Sequence, residues 1–343
     1  MLTEKLKALC VPTGISGNEK AATEVFRSLV MPYCDSFEYD KSGNFYAYRY
    51  CGRENAPLIM LEAHADKIGL MVRHITKEGF VLFSEIGGFD AKVLPTSNVL
   101  IHGSEKVFGT IAVLPVHVKK GDDEKVTPSS DLFIDTGFSY EEITGRIKVG
   151  DFIEILTEFT PLSGNFVAAS ALDDRAGLLT IAECARLLKG ADTEFDVLFC
   201  ATSQEEVGCR GAAAAAKKAN PYISISVDVC HGKTPDASEN VFECGCGPVI
   251  TVGPNVQRPI SNALIKCAKV FDIPYEIDVD SGNTGTNAWV IQVAGMGVFT
   301  GLISLPLRYM HTPYEVIDLR DIEHSAHLLA EFIKGLKGGS ICY

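Results

Sequence analysis

The chain changes its hydrophobic rhythm along its length. Up to about residue 66, "TEKLKALC" and "NEKAATEVFRSLV" space apolar residues three or four apart and predict helices, the second entered through Ser16 to Asn18. "SFEYD" and "GNFYAYRY" alternate around "KSG" and predict two strands. "APLIMLEAHAD" is a continuous apolar run, the pattern of a strand buried on both faces. From about 68 to 162 the chain becomes a series of short β-rich runs, "GFVLFSEI", "NVLIHG", "VFGTIAVL" and "DFIEILTEF", cut by Gly, Pro and polar turns. Helical periodicity is weak there, and "KKGDDEK" at 119–125 predicts a solvated loop. After that, strand and helix alternate. "LDDRAGLLTIAECARLLKG" predicts an amphipathic helix that begins at an acidic pair. "FDVLFCAT", "YISISVDV" and "GVFTGLI" predict strands, and "GCRGAAAAAKKA", "NALIKCAKVF" and "LRDIEHSAHLLAEFIKGL" predict helices. The expected fold is α/β, a sheet with helices on both faces built from residues 1–67 and 163–343, with 68–162 inserted as a small β-rich domain.

Composition narrows the function. With 343 residues, 46% hydrophobic and 22% charged, the chain can bury a sizeable core. A formal net charge of -13 disfavours nucleic acid and anionic membranes as partners. No run reaches the roughly 18 apolar residues of a membrane span, and the N-terminus lacks a secretory signal. The 11 cysteines then read as reduced thiols of a cytoplasmic protein. Cys244 and Cys246 form a C-x-C pair, a spacing that fits two plain turn cysteines better than a zinc site.

The chemistry gathers at strand ends. His64 and Asp66 follow "APLIMLEA", Asp173 and Asp174 open a helix, and Glu205 and Glu206 follow "FDVLFCATSQ". Asp228 ends "YISISV", and His311 follows "GVFTGLISLPLRYM". Ligands of open α/β sheets bind outside the carboxyl ends of the strands, so five segments rich in His, Asp and Glu are expected to converge on one crevice. Each has an ordinary structural explanation alone, since acids favour helix N-termini and histidines shape turns. Together, imidazole and carboxylates suit two divalent cations, zinc first, with cobalt or manganese as alternatives. The adjacent glutamates then divide the work. One binds metal, and the other takes a proton from the attacking water and passes it to the leaving group.

At these residues the sequence resembles the TET-type aminopeptidases, the cocatalytic-metal family that includes glutamyl aminopeptidase, deblocking aminopeptidases and proteins named endoglucanase M. "EAHADKIGLMV", "ALDDRAG", "SQEEVGCRGA", "SVDV" and "LPLRYMHTPYEVIDLRD" carry the likeness, in the family's order and over nearly the whole chain. The resemblance implies a zinc-exopeptidase-like catalytic domain, a mixed sheet sandwiched by helices, with a β-rich dimerisation insert. It implies two divalent metal ions per subunit, with Asp173 bridging, His64 and Asp228 completing one site, and Glu206 and His311 the other. Glu205 would be the general base, and Asp66 would hold the ring of His64 through its other nitrogen. The implied reaction is hydrolysis of the N-terminal residue of short peptides, in a homo-oligomer of dimers built into a dodecamer. Three departures stand out: Lys67 where the family has an acid, Asn287 where it has Asp, and "VCHGKTPDASE", which brings His231 and Lys233 near the presumed site. Lys67 would oppose metal binding if it pointed inward, and the expectation is that it points to solvent. Two alternatives compete: a deacylase or amidohydrolase acting on N-acyl amino acids, and a catalytically impaired assembly or binding homologue. A glycosidase, which needs two carboxylates about a sugar, fits the histidines poorly.

Overall fold

A computed structural model describes residues 2–113, 127–237 and 240–337; the loop expected at 119–125 lies outside the described residues. Eleven strands form one large mixed sheet. Its centre is four parallel strands in the order Asp196–Thr202, Leu58–His64, Ile223–His231 and Phe299–Arg308. Antiparallel strands flank this centre, among them Phe45–Arg49 on one side and Glu315–Asp318 and Phe166–Ala169 on the other. Val249–Val252 and Glu276–Val279 branch from Phe299–Arg308 as an added edge.

The apolar run "LIMLEAH" is buried on both faces as its pattern predicts. Ile59, Leu61 and Ala63 enter the main core, under the helices Leu2–Cys10, Lys20–Val30, Leu172–Leu187, Arg258–Val270 and Leu319–Gly335. Met60 points the other way, into a smaller core under Arg210–Ala219 and Ala288–Ile291. Alternation along a strand sends successive side chains to opposite faces, so one strand supports both layers. The helix Leu172–Leu187 is not amphipathic as expected. It is buried nearly all round, because it runs beneath both the sheet and the closing helix, and Glu183 is tolerated by pairing with Lys5 and Arg186, each at 2.6 Å.

The β-rich insert closes into a six-stranded barrel between Gly69 and Ile155. Leu70, Val81, Val99, Ile134 and Ile153 fill its separate core. A short helix, Tyr140–Thr144, was not predicted; it has a capping box between Ser139 and Glu142 and drops Ile143 into the barrel. Thr160–Pro161 already pairs within the large sheet. No helix among the described residues is long and apolar enough to cross a membrane.

Candidate active site

Parallel register aligns the ligand-bearing strand ends. Thr202 lies opposite His64. Ser226 lies opposite Glu62, which puts Asp228, two residues on, abreast of His64. Asp173 reaches the same place from the start of its helix, where Asp173 and Asp174 depart from helical geometry and are joined by a cis peptide. His311 arrives from the loop after Phe299–Arg308 with φ at +60°, and Gln204, before the paired glutamates, sits at φ +55°. Non-glycine residues with positive φ are uncommon and cluster at functional sites.

Two triads result. His64, Asp173 and Asp228 offer ligand atoms within 4.8 Å of one another, and so do Asp173, Glu206 and His311. Asp173 divides its carboxylate between them. Oδ1 lies 2.9 Å from His64 Nε2, and Oδ2 lies 3.4 Å from His311 Nε2. His311 Nε2 is also 3.3 Å from Glu206 Oε2, and His64 Nε2 is 3.9 Å from Asp228 Oδ1. Ligands bound at zinc's ordinary bond lengths in a tetrahedron stand about 3.3 Å apart, so the donor spacing and the donor types both fit a pair of divalent cations. Neither Cys244 nor Cys246 belongs to such a group: their thiols face the carbonyls of Pro306 and Gly247.

The electrostatics of this cluster suit bound cations. Burial raises Asp228 well above the carboxylate range, and burial raises Glu206 to about 7, with Asp173's charge adding to both. Hydrogen bonds with Asp173 and Glu206 raise His311 to about 11. Burial opposes the charge on His64, but its bonds to Asp173 and Asp66 outweigh that and raise it too. Carboxylates this crowded call for neutralising positive charge, which bound cations supply in a metal site.

A surrounding set of bonds holds the ligands. His64 Nδ1 donates to the backbone carbonyl of Asp66 at 3.0 Å, closer than the Asp66 carboxylate at 3.5 Å. A carbonyl only accepts, so Nδ1 carries a proton and Nε2 is the nitrogen left for a metal. The Asp66 carboxylate, 3.5 Å from the ring nitrogen, has a further task beyond the expected grip on the ring. It accepts from the amides of Glu205 (2.9 Å) and Glu206 (3.1 Å) and from Ser16 Oγ (2.6 Å). Two amides on one carboxylate make the sharp turn that sends the adjacent glutamates apart. Glu206 joins the second triad. Glu205 joins neither, faces the cavity, and has its carboxyl raised by burial.

Sequence reasoning missed Glu315. Its buried carboxylate takes the amide of Asp173 at 3.2 Å and that of His311 at 3.1 Å, bracing ligands from two segments. The only signal was its place four residues after His311. Asp174, noted in the sequence but given no role, accepts from the His64 amide at 3.3 Å and from Gly177 at 3.0 Å.

The three departures also find places. Lys67 points neither to solvent nor at the ligands. It is 5% exposed, and its ammonium lies 2.6 Å from Glu154 of the barrel. Asn287 is buried outside the cavity and donates to Glu62 at 2.8 Å and Thr202 at 3.0 Å. His231 lines the cavity, whereas Lys233 pairs with Glu243 at the surface.

Comparison with known proteins agrees with this geometry. The family model described as M42 glutamyl aminopeptidase matches residues 43–328. A lysyl aminopeptidase of Pyrococcus furiosus is 33% identical over 342 residues, covering 97% of each chain. An aminopeptidase from the archaeon Desulfurococcus kamchatkensis superposes with a TM-score of 0.91 at 33% identity, over 98% of this chain and 95% of that one. A Pyrococcus horikoshii TET1 peptidase that can assemble into a tetrahedron or a large octahedral shell superposes at 0.86 with 30% identity, over 98% of this chain and all of that one. With its fold, its carboxylate and histidine cluster and these relatives in agreement, the chain belongs to the M42 glutamyl aminopeptidase family of metal-dependent peptidases.

Proposed function

We propose that the chain is a dinuclear metallo-aminopeptidase that removes N-terminal residues from short peptides. The division of Asp173 Oδ1 and Oδ2 between two triads carries this reading. His64, Asp173 and Asp228 would hold one ion, and Asp173, Glu206 and His311 the other. When bound, the two ions supply a Lewis acid for the scissile carbonyl and an attacking water acidic enough to ionise near neutral pH. Glu205, beside the triads and in neither, takes the proton of that water on its carboxylate and delivers it to the leaving amine. Burial favours the neutral acid of Glu205, which helps the second half of that transfer. Asp66 fixes the turn that aims Glu205, and Glu315 holds Asp173 and His311 in register. Zinc fits the donors best, with cobalt or manganese as substitutes. The reading extends to a cytoplasmic enzyme, supported by ten free cysteines among the described residues. It also extends to dimers, paired through the insert at 68–162, that build a dodecamer.

The test is a panel of free-amine and N-acetylated aminoacyl substrates, assayed after chelation and after return of zinc, cobalt or manganese. The expected result is metal-restored cleavage of the free-amine members alone, lost by a factor of about 10² to 10⁴ in Glu205→Gln. Glu205→Gln should retain the wild-type metal content. Cleavage of the acetylated members would replace this reading with a deacylase, and bound metal without turnover would leave an assembly protein.

A further inference from the structure

The groups that cut the bond do not choose the side chain that enters, and the rest of the same cavity bears on that choice. The cavity, about 500 Å³, runs from the two triads to the edge strand Glu276–Val279 and the turn beyond it. Asp278, in that strand, and Asp280, just past its end, both line the cavity. Neither forms an ion pair among the described residues; Asp280 Oδ1 accepts only the amide of Gly282, at 2.7 Å. No lysine or arginine among the described residues lines the cavity. Burial, with repulsion from Asp280, raises the carboxyl of Asp278. Val229, Leu302, Phe242 and Met310 add apolar surface to the same cavity.

A cavity that offers both apolar surface and a pair of carboxylates matches a side chain with a long aliphatic stem and a cationic tip. Resting on the aminopeptidase reading above, we propose that Asp278 and Asp280 receive the cationic side chain of the substrate's first residue, so that the enzyme removes N-terminal lysine and arginine in preference to neutral or acidic residues. Methionine fits the same cavity but leaves the carboxylates unpaired, and glutamate is repelled.

The experiment compares kcat/KM of the metal-reconstituted enzyme on lysyl, arginyl, methionyl, leucyl and glutamyl anilides, in wild type, Asp278→Asn and Asp280→Asn. Asp192→Asn, a surface charge outside the cavity, controls for net charge. A second readout is calorimetric binding of lysinamide against norleucinamide to Glu205→Gln, which is free of turnover. The expected lysyl-to-methionyl ratio in wild type is above about tenfold. It falls about two- to fivefold in either cavity variant, mainly through KM, the loss expected for one partly exposed ion pair. It stays put in Asp192→Asn. A preference for methionyl or leucyl substrates, or a ratio unmoved by both cavity variants, overturns the proposal while leaving the aminopeptidase intact. Failure to cleave any free-amine member overturns the aminopeptidase reading and this preference with it.

Discussion

Lys67→Met tests how firmly the barrel is tied to the catalytic lobe. The Lys67 ammonium lies 2.6 Å from Glu154 Oε1, and His102 Nε2 lies 3.2 Å from Oε2. Both partners of the ion pair are nearly buried, with side chains 7% and 12% exposed. Burial opposes the charge on Glu154, but the bond from His102 and the charge and bond of Lys67 outweigh it and bring the carboxyl from 4.5 to about 2. At about 1.4 kcal/mol per tenfold change this is about 3 kcal/mol. His102 and Lys67 share it, and removing the charged bond of Lys67 costs about 2 kcal/mol, the usual worth of a hydrogen bond to a charged group. Methionine keeps the aliphatic stem and removes the charge, leaving a buried carboxylate with one partner. Spread over the entropy of a 343-residue transition, the loss lowers Tm by about 3 °C.

The sign with pH follows from the direction of the shift. Glu154 is held below its ordinary value, so its contribution is full above pH about 4.5 and is lost as pH falls toward about 2. The stability gap between wild type and Glu154→Gln therefore narrows over that range. Calorimetry and denaturant melts of wild type, Lys67→Met, Glu154→Gln and the double variant close a cycle with a coupling of about 2 kcal/mol. A coupling near zero, or a Lys67→Met protein that melts with wild type, would show that the pair is solvated and does not join the lobes.

Three further outcomes follow from the same contacts. Asp66→Asn keeps the size of the side chain but weakens the grip on the Glu205 and Glu206 amides; kcat or metal affinity should fall about 10- to 100-fold, read by turnover and by competition with a chelating dye. Asn287→Asp removes the donor to Glu62 and sets two carboxylates together in the interior, costing about 2 kcal/mol near pH 8 and less near pH 5, where the introduced carboxyl, once protonated, can donate again; equal stability at pH 8 would show that Glu62 already carries the proton. Chelation should lower Tm by about 6 °C relative to protein held in metal at about 1,000 times Kd, and returning zinc should restore it; a melt indifferent to metal would mean that the triads do not bind it.

The sequence made the strands and the polar cluster legible for one reason: in a parallel sheet, the carboxyl ends of buried apolar runs lie together. His64, Asp228 and the Glu205–Glu206 pair were found that way. Elements governed by tertiary contact were harder to read. Val249–Val252 and Glu276–Val279 are short and lie at an added edge, the second of them largely exposed, so their alternation is weak. The helix at Leu172–Leu187 looked amphipathic because its charged positions Glu183 and Arg175 are satisfied by Lys5 and the Leu9 carbonyl of the first helix, which sequence alone does not show. Glu315 opens the short strand Glu315–Asp318, which no periodicity in the sequence announced, and its role depends on the backbone amides of Asp173 and His311, which residue identity does not reveal. Lys67 was read as solvent-facing because its partner lies 87 residues away in the barrel.

That partner bears on what the barrel does for the site. The chain leaves the sheet just after His64 and Asp66, rejoins it at Thr160–Pro161 and runs on through Phe166–Ala169, four residues before Asp173. The barrel is thus spliced between two ligands of the same triad. It also touches the other triad. A Cβ built at Gly87 would lie 3.5 Å from Glu206 Cβ, and one at Gly88 would lie 3.4 Å from His311 Nδ1. Gly87 further needs its glycine because φ is +79° and a Cβ would meet Ile68 at 2.5 Å. The loop that carries both glycines therefore forms a wall of the site, and the Glu154–Lys67 pair clamps that wall in place. Barrel docking and ligand geometry share these contacts, so a change that loosens one reaches the other, and by linkage metal bound at the triads must favour the docked barrel by the same amount.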